Sequence, residues 1–191
     1  MKRHKSPFCT IYIIIGSLLL FSASNAEAKK VAVEDTLEYP MVLSRSYLKM
    51  IENSRGSRIY RNLYFRIKGK TSDALENGNL SCAYYVASVL KHFDLIKEFR
   101  TLVDELVIEM KKHGWQSVKE PKPGSVIVWE KVYFPASGEW HGHIGFYVGK
   151  GWVISNSSKR GYPVRHYWRR EPVSGRWRKV VEILWHPKLE D

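Results

Sequence analysis

One cysteine in this chain has the setting of a nucleophile. Cys82 is one of two cysteines, and the other, Cys9, lies in an apolar N-terminal segment. The sequence around Cys82 passes from a polar loop into an apolar helical pattern, which predicts that the thiol lies in the first turn of a helix. Backbone N–H groups and the helix dipole favour a thiolate there, so we expect the pKa of Cys82 to fall below its ordinary value of about 8.5.

Among the histidines, His143 is the best placed to act as a base for that thiol. It begins a run, 143–148, that is typical of a strand, and a strand start fixes the direction of a side chain. His141 lies two positions earlier, but a zinc site would need a third or fourth ligand and no second cysteine is available. We therefore expect no metal and no organic cofactor, and we expect His141 at the mouth of a cleft and His166 at a surface or binding face.

The elements that position these residues can be read from the spacing of apolar side chains. A stripe at helical spacing follows Cys82 and predicts a helix capped by Asn79 or Ser81. A helix is predicted over 41–51, and another from a Thr101 cap to Gly114. Strand patterns occur at 63–67, 125–130, 143–148, 152–156 and 178–185. Helices that precede antiparallel strands predict an α+β fold, with N-terminal helices packed on the sheet.

Residues 1–28 have the order of a secretory signal peptide: a basic start, an apolar run and small residues that end at Ala28. The apolar run, 11–21, is shorter than the roughly 20 residues of a membrane span. An uncleaved anchor is the alternative. Cleavage leaves 29–191 as a single domain, with 29–56 as an N-terminal extension and 57–191 as its core. We expect an exported protein, periplasmic or extracellular, that contacts membrane only through the signal segment.

The charge of the chain predicts anionic partners. Its formal net charge is +12, and basic and aromatic residues are interleaved over 159–179. From this segment we predict that Arg165, Arg169, Arg170 and Trp168 bind cell-wall peptide or another anionic polymer. Nucleic acid is not an expected partner of an exported protein. The alternative is a solvated face in which basic side chains cover packed aromatic rings.

These residues also carry a resemblance to a known family. The segment 79–90 around Cys82, Pro123-Gly124 before a strand, and the run His143-Ile-Gly-Phe-Tyr-Val-Gly-Lys-Gly together resemble the NlpC-type cell-wall cysteine peptidases and the related CHAP amidases. The resemblance covers roughly 78–158. It implies a papain-like core in which a helix-borne cysteine faces a histidine on an antiparallel sheet.

The resemblance further implies a third polar residue on the strand that follows the histidine, where an ungapped match puts Ser155, with Asn156 adjacent. A two-residue loop at 150–151 places Asn156 on the face of His143, whereas a three-residue loop places Ser155 there. We choose Asn156, because an amide oxygen orients a ring N–H better than a hydroxyl that can rotate freely.

The residues and the resemblance together predict an exported cysteine hydrolase that cleaves an amide bond, with peptidoglycan peptides as the expected substrate. Cys82 would attack the carbonyl, His143 would move the proton, and Asn156 would orient the imidazole ring. The backbone N–H of Cys82 would stabilise the oxyanion. The alternatives are a non-catalytic wall-binding module on the same fold and a thiol enzyme directed at acyl groups or lipids.

Overall fold

The computed structural model describes residues 39–134, 138–169 and 178–190 of the chain. They form an α+β fold with helices α1 (Leu43–Asn53), α2 (Cys82–His92) and α3 (Val103–Lys112). The strands are β1 (Tyr64–Ile67), β2 (Lys70–Asp73), β3 (Gln116–Ser117), β4 (Val126–Phe134), β5 (Glu139–Gly149), β6 (Trp152–Ser157), β7 (Tyr162–Tyr167) and β8 (Val180–Trp185). The predicted export signal, 1–28, lies outside the described residues. Within those ranges, no helix has the length and apolar character needed to cross a membrane.

Strands β3 to β8 form one antiparallel sheet, in the order β3-β8-β4-β5-β6-β7. Val126 and Val128 of β4 belong to the large apolar core that the helices share, whereas Ile127 and Trp129 belong to a smaller cluster. Successive strand residues alternate between faces, so the two clusters lie on opposite faces of the sheet. Strands β1 and β2 form a separate hairpin.

The core positions the start of α2. The apolar residues of α2 recur at helical spacing, and the helix packs on β5 and β6. Helix α1 packs into the same core through Tyr47 and Ile51, both fully buried. The Tyr47 hydroxyl donates to the Gly124 carbonyl at 3.0 Å. The described part of the predicted extension, 39–56, therefore contributes to the main core.

Strands β5 and β6 part from each other towards one end of the sheet. Their pairing begins with Gly145 opposite Ser155, and the described β5 residues before Gly145 pair with β4 alone. A side chain would not fit at Gly145, because a Cβ there would lie 2.5 Å from the Ser155 Cβ and 2.9 Å from the Ile154 carbonyl oxygen. The parting leaves the backbone of 142–144 accessible to the N-terminus of α2.

Candidate active site

A cleft of about 560 Å³ opens where β5 and β6 part. Its wall includes Cys82 at the start of α2, His143 on β5 and Asn156 on β6, so the three predicted catalytic residues line one cleft. Arg178, which precedes β8, lines the same wall.

Main-chain contacts position Cys82. It is the first residue of α2, and the N–H of Tyr85 closes the first helical turn on the Ser81 carbonyl at 2.9 Å. Ser81 is the N-cap residue, but its side chain makes no capping hydrogen bond. The sulfur lies 4.0 Å from the carbonyl oxygen of Gly142, the residue before His143. The thiol is therefore held against the backbone of β5, at the residue that precedes the predicted base.

The protonation states of the two groups differ from the prediction. Burial raises the pKa of Cys82, although the N–H of Ala83 and the charge of Arg178 favour the anion. The prediction of a lowered pKa is wrong, because desolvation of the thiolate outweighs the helix N-terminus. Burial also lowers the pKa of His143 well below its ordinary value, and the charges of Arg178 and His166 act in the same direction. At neutral pH the site therefore holds a thiol and a neutral imidazole.

A chain of hydrogen bonds across three strands orients His143. Its Nε2 lies 2.8 Å from Oγ of Ser155 on β6, and the same Oγ lies 2.8 Å from Nε2 of His166 on β7. The Nδ1 of His166 lies 3.0 Å from the Tyr167 carbonyl oxygen. Ser155 and His166 are both buried. We call this chain of three side chains the relay.

The Tyr167 carbonyl sets the direction of the relay. A carbonyl only accepts, so Nδ1 of His166 carries hydrogen and donates to it. In neutral His166 the Nε2 atom then accepts, and the Ser155 hydroxyl donates to it. The Ser155 oxygen accepts from His143, whose hydrogen is therefore on Nε2 and whose lone pair is on Nδ1. With His166 neutral, this assignment makes Nδ1 the basic atom of His143, whereas a charged His166 would donate from Nε2 and reverse the direction of the relay.

Ser155, not Asn156, is the partner of His143, so the choice of Asn156 as the orienting residue is wrong. The Asn156 side chain points to the opposite face of β6, where its Nδ2 donates to the Gly78 carbonyl at 2.7 Å. That contact ties β6 to the loop before α2. The Oδ1 of Asn156 is buried and has no hydrogen-bond partner among the described residues.

A one-residue irregularity explains the error. The loop at 150–151 has the two residues that we expected, with Gly149 paired with Trp152. The pairing then shifts by one residue between Tyr147 and Gly149, as in a β-bulge. A shift of one residue exchanges the faces of a strand, so Ser155 occupies the side on which Asn156 was expected.

Two buried residues of this site were missed in the sequence. His166 was expected at a surface or binding face, but it lies on β7 and completes the relay. Trp129 packs beside both imidazoles, with ring centroids 5.2 Å from His143 and 5.8 Å from His166. Its indole N–H donates to the Trp168 carbonyl at 2.8 Å. The stretch 162–167, Tyr-Pro-Val-Arg-His-Tyr, shows no regular alternation, so the sequence carried only a weak signal for β7.

Arg178 was also missed as a site residue. It is buried, and its guanidinium donates to the Glu130 carbonyl at 2.9 Å and to the His141 carbonyl at 2.6 Å. Three consecutive residues of β5 thus have three roles. The His141 carbonyl accepts from Arg178, the Gly142 carbonyl lies against the Cys82 sulfur, and His143 supplies the imidazole. This arrangement places a permanent positive charge in the cleft wall, which favours anionic species at the thiol.

The rim of the cleft combines apolar and charged side chains. Leu102 and Trp140 are 61% and 65% exposed and line the opening. Asp104 and Lys131 form an ion pair at 2.6 Å on the same rim, which also includes Glu105. The cleft therefore suits a ligand with an apolar group and polar or charged groups.

The predicted polymer-binding residues lie elsewhere. Arg165 stacks over Trp152 at 4.5 Å, and Arg169 stacks over Trp168 at 4.7 Å. Trp168 packs against the smaller apolar cluster, which includes Ile127 and Trp129. None of Arg165, Arg169 and Trp168 lines the cleft, and Arg170 lies outside the described residues. Polymer binding by these residues stays a prediction, and it would occur outside the cleft.

The described part of the chain contains no group of three or more His, Cys, Asp or Glu side chains that could hold a metal ion. His141 lies at the mouth of the cleft, with its Nε2 3.7 Å from a Glu139 carboxylate oxygen. Comparison of the chain with protein-family models and with curated proteins finds no match.

Proposed function

We propose that this protein is a cysteine hydrolase that cleaves amide bonds, built on a papain-like core of the NlpC type. One observation carries the proposal: a helix-borne thiol lies against β5 in the same cleft as His143, whose imidazole is oriented by a buried relay. A structural cysteine would need neither the cleft nor the relay. No hydrogen bond joins Cys82 to His143 in the described contacts, and such bonds commonly tighten only when substrate is bound.

In this proposal the reaction begins from neutral groups. The Cys82 sulfur attacks the carbonyl carbon of the substrate while Nδ1 of His143 takes the thiol proton. The relay stabilises the imidazolium, because Ser155 accepts from its Nε2–H. The backbone N–H of Cys82 and the charge of Arg178 favour the oxyanion.

The intermediate then collapses to a thioester as the C–N bond breaks. His143 gives its proton to the leaving amine and returns to the neutral state. A water molecule attacks the thioester carbonyl, His143 takes a proton from that water, and the acid product leaves as the thiol is restored. The two half-reactions consume one water molecule for each amide bond.

The proposed substrate is a peptide of the bacterial cell wall, reached by export of the protein. The signal-like segment 1–28, the basic charge of the chain and the resemblance of 78–158 support this proposal. A wall peptide also carries both the apolar and the charged groups that the rim of the cleft suits.

The decisive experiment is digestion of purified peptidoglycan, with the released fragments identified by mass spectrometry. We expect new amine and carboxyl ends at one type of amide bond, and no release by the Cys82→Ala variant. Equal binding of both proteins to peptidoglycan without release would instead support a non-catalytic wall-binding module.

A thiol enzyme for acyl groups is a second candidate, and the exposed Leu102 and Trp140 at the rim favour it. Such an enzyme would use Cys82 and His143 in the same roles but would bind a long acyl chain along the apolar rim. Parallel assays with an N-acyl amino acid and a wall peptide separate the two. Faster Cys82-dependent cleavage of the N-acyl substrate would favour the second candidate.

A further inference from the structure

The hairpin of β1 and β2 is exposed on both faces. It forms a two-stranded sheet of its own, with Tyr64 64% exposed and Phe65 49% exposed. The β2 residues 70–72 are exposed as well. A two-stranded hairpin alone in water is marginally stable, so its position depends on contacts at its base.

Asp73 holds the base of the hairpin. Its carboxylate accepts hydrogen bonds from the backbone N–H groups of Leu63, Leu75 and Asn77 at 2.9, 3.1 and 2.8 Å. The Asn62 amide donates to it at 2.6 Å. Desolvation opposes the charge, but these hydrogen bonds outweigh it and lower the pKa of Asp73 to about 2. The hairpin is therefore a fixed projection of the domain.

The charged side chains of 55–70, up to the turn of the hairpin and its first β2 residue, all have one sign. Between positions 55 and 70 there are no acidic residues and six basic ones: Arg55, Arg58, Arg61, Arg66, Lys68 and Lys70. Arg66, Lys68 and Lys70 are exposed, and no described acidic residue forms an ion pair with them. Ile59, in the same stretch, is 73% exposed. Basic, aromatic and aliphatic side chains are thus all presented to solvent together.

We propose that this hairpin docks on a membrane surface rich in anionic phospholipid. Arg66, Lys68 and Lys70 match the negative headgroups, and aromatic side chains prefer the boundary between headgroups and acyl chains. Tyr64 and Phe65 are adjacent on a strand and point to opposite faces, so lipid around the hairpin contacts both. A polymer chain on one face would reach only one of them.

The exposed Ile59 also favours lipid over a hydroxyl-rich polymer, because an aliphatic side chain gains from contact with hydrocarbon. Ala74 and Leu75 directly follow β2 and line the cleft. Docking through the hairpin holds the mouth of the cleft near the membrane surface. The sequence predicted membrane contact only through 1–28, and the hairpin adds a second contact on the folded domain.

The test measures binding of the full chain to vesicles of phosphatidylglycerol and phosphatidylcholine, and to vesicles of phosphatidylcholine alone. We expect the triple variant R66Q, K68Q, K70Q to bind the anionic vesicles roughly a hundredfold more weakly, since each basic residue near such a surface contributes severalfold. Hydrogen exchange of the peptide spanning 62–75 should slow when wild-type protein binds anionic vesicles. Residues 1–28 are the same in all variants, and local exchange isolates the hairpin from their contribution.

A matched variant controls for net charge. K112Q, K119Q and K188Q remove three exposed lysines outside the hairpin and should leave binding and local exchange unchanged. Equal losses in both triple variants would overturn the proposal in favour of nonspecific attraction. Unchanged hydrogen exchange in the hairpin when the protein binds anionic vesicles would also overturn it. Amide-bond cleavage of a soluble peptide is a separate readout, because the substituted residues lie outside the cleft.

Discussion

The two halves of the candidate site are held by different kinds of contact. Cys82 is positioned by the main chain, since it begins α2 and its sulfur lies against the Gly142 carbonyl at 4.0 Å. His143 is oriented by side chains, through Ser155 of β6 and His166 of β7. The nucleophile therefore depends on one helix and its core, whereas the base depends on the alignment of three neighbouring strands.

This difference predicts how each half fails when it is altered. Removal of one buried methyl group from α2 costs about 1 kcal/mol of stability and leaves the start of the helix in place. Removal of the Ser155 hydroxyl leaves the ring N–H of His143 without its acceptor, with the helix core untouched. Substitutions on the strand side should therefore change the chemistry more than the stability.

The largest expected effect comes from the reacting groups themselves. Cys82→Ala and His143→Ala should each lower kcat/KM for a wall peptide by at least about a thousandfold, because each removes the nucleophile or its base. His141→Ala lies on the same strand and cleft and should cost less than about tenfold. Circular dichroism verifies that each variant is folded. A greater loss from His141→Ala than from His143→Ala would identify His141 as the base.

The relay should be the next most sensitive part. Ser155→Ala and His166→Phe should each lower kcat by roughly 10- to 100-fold with little change in KM, because the imidazolium loses its acceptor chain. Asn156→Ala is the matched change on the other face of β6. It should act mainly on KM and on stability, where loss of the Gly78 contact costs about 1 kcal/mol. A larger loss of kcat in Asn156→Ala would return the orienting role to the amide.

The pH dependence tests the buried setting of the pair. Alkylation of Cys82 by iodoacetamide, followed on its own peptide by mass spectrometry, should have a midpoint above about 8.5, because burial raises its pKa. Peptide cleavage should persist below pH 6.5 or so, because His143 has a lowered pKa and stays neutral there. An alkylation midpoint below the ordinary thiol value would show that the helix N-terminus outweighs desolvation.

The charge of Arg178 should affect both the pKa of Cys82 and the pKa of His143. Arg178→Met removes a positive charge, so the pKa of Cys82 should rise further and the pKa of His143 should rise towards its ordinary value. Arg178→Lys keeps the charge and should keep both pKa values near those of the wild type. Matching profiles in Arg178→Met and wild type would limit Arg178 to its hydrogen bonds with backbone carbonyls.

The smallest effect on cleavage is expected from the predicted polymer-binding residues. Neutralisation of Arg165, Arg169 and Arg170 should weaken binding to insoluble wall material, with a smaller loss at high salt because exposed charges are screened. Cleavage of a small soluble peptide should be unchanged, since the described members lie outside the cleft. Unchanged sedimentation with wall material would mean that this segment is only a solvated face.

Local patterns were sufficient to place the nucleophile at the start of a helix, although they gave the wrong direction for its pKa. The apolar stripe after Cys82 predicted α2, which begins at that residue. The glycines around position 150 predicted the hairpin of β5 and β6, which the structure confirms. The α+β class followed from the same elements. These features depend on residues close together in the chain, where spacing alone carries the information.

The base side required contacts that spacing does not encode. Ser155 reaches His143 because of the irregularity between Tyr147 and Gly149, which strand alternation does not predict, although the ungapped family match pointed to Ser155. Strand β7 was overlooked because its charged and aromatic residues were interpreted as a binding surface. Arg178 joins the site through carbonyls of Glu130 and His141, far away in sequence. Backbone carbonyls are present at every residue, so no side-chain pattern points to them.

The irregular pairing near Val148 also limits which insertions and deletions this hairpin can accept in evolution. Deletion of one regularly paired residue, such as Phe146, would turn β6, and β7 with it, to the opposite face, whereas loss of the extra residue Val148 would leave Ser155 opposite Gly145. In the first case His143 would lose its contact with Ser155, and through it with His166, by a single deletion, although no side chain of the relay had been substituted. Lineages that retain the relay can therefore vary the composition of this hairpin, but a change of one residue in its length is tolerated only at the bulge.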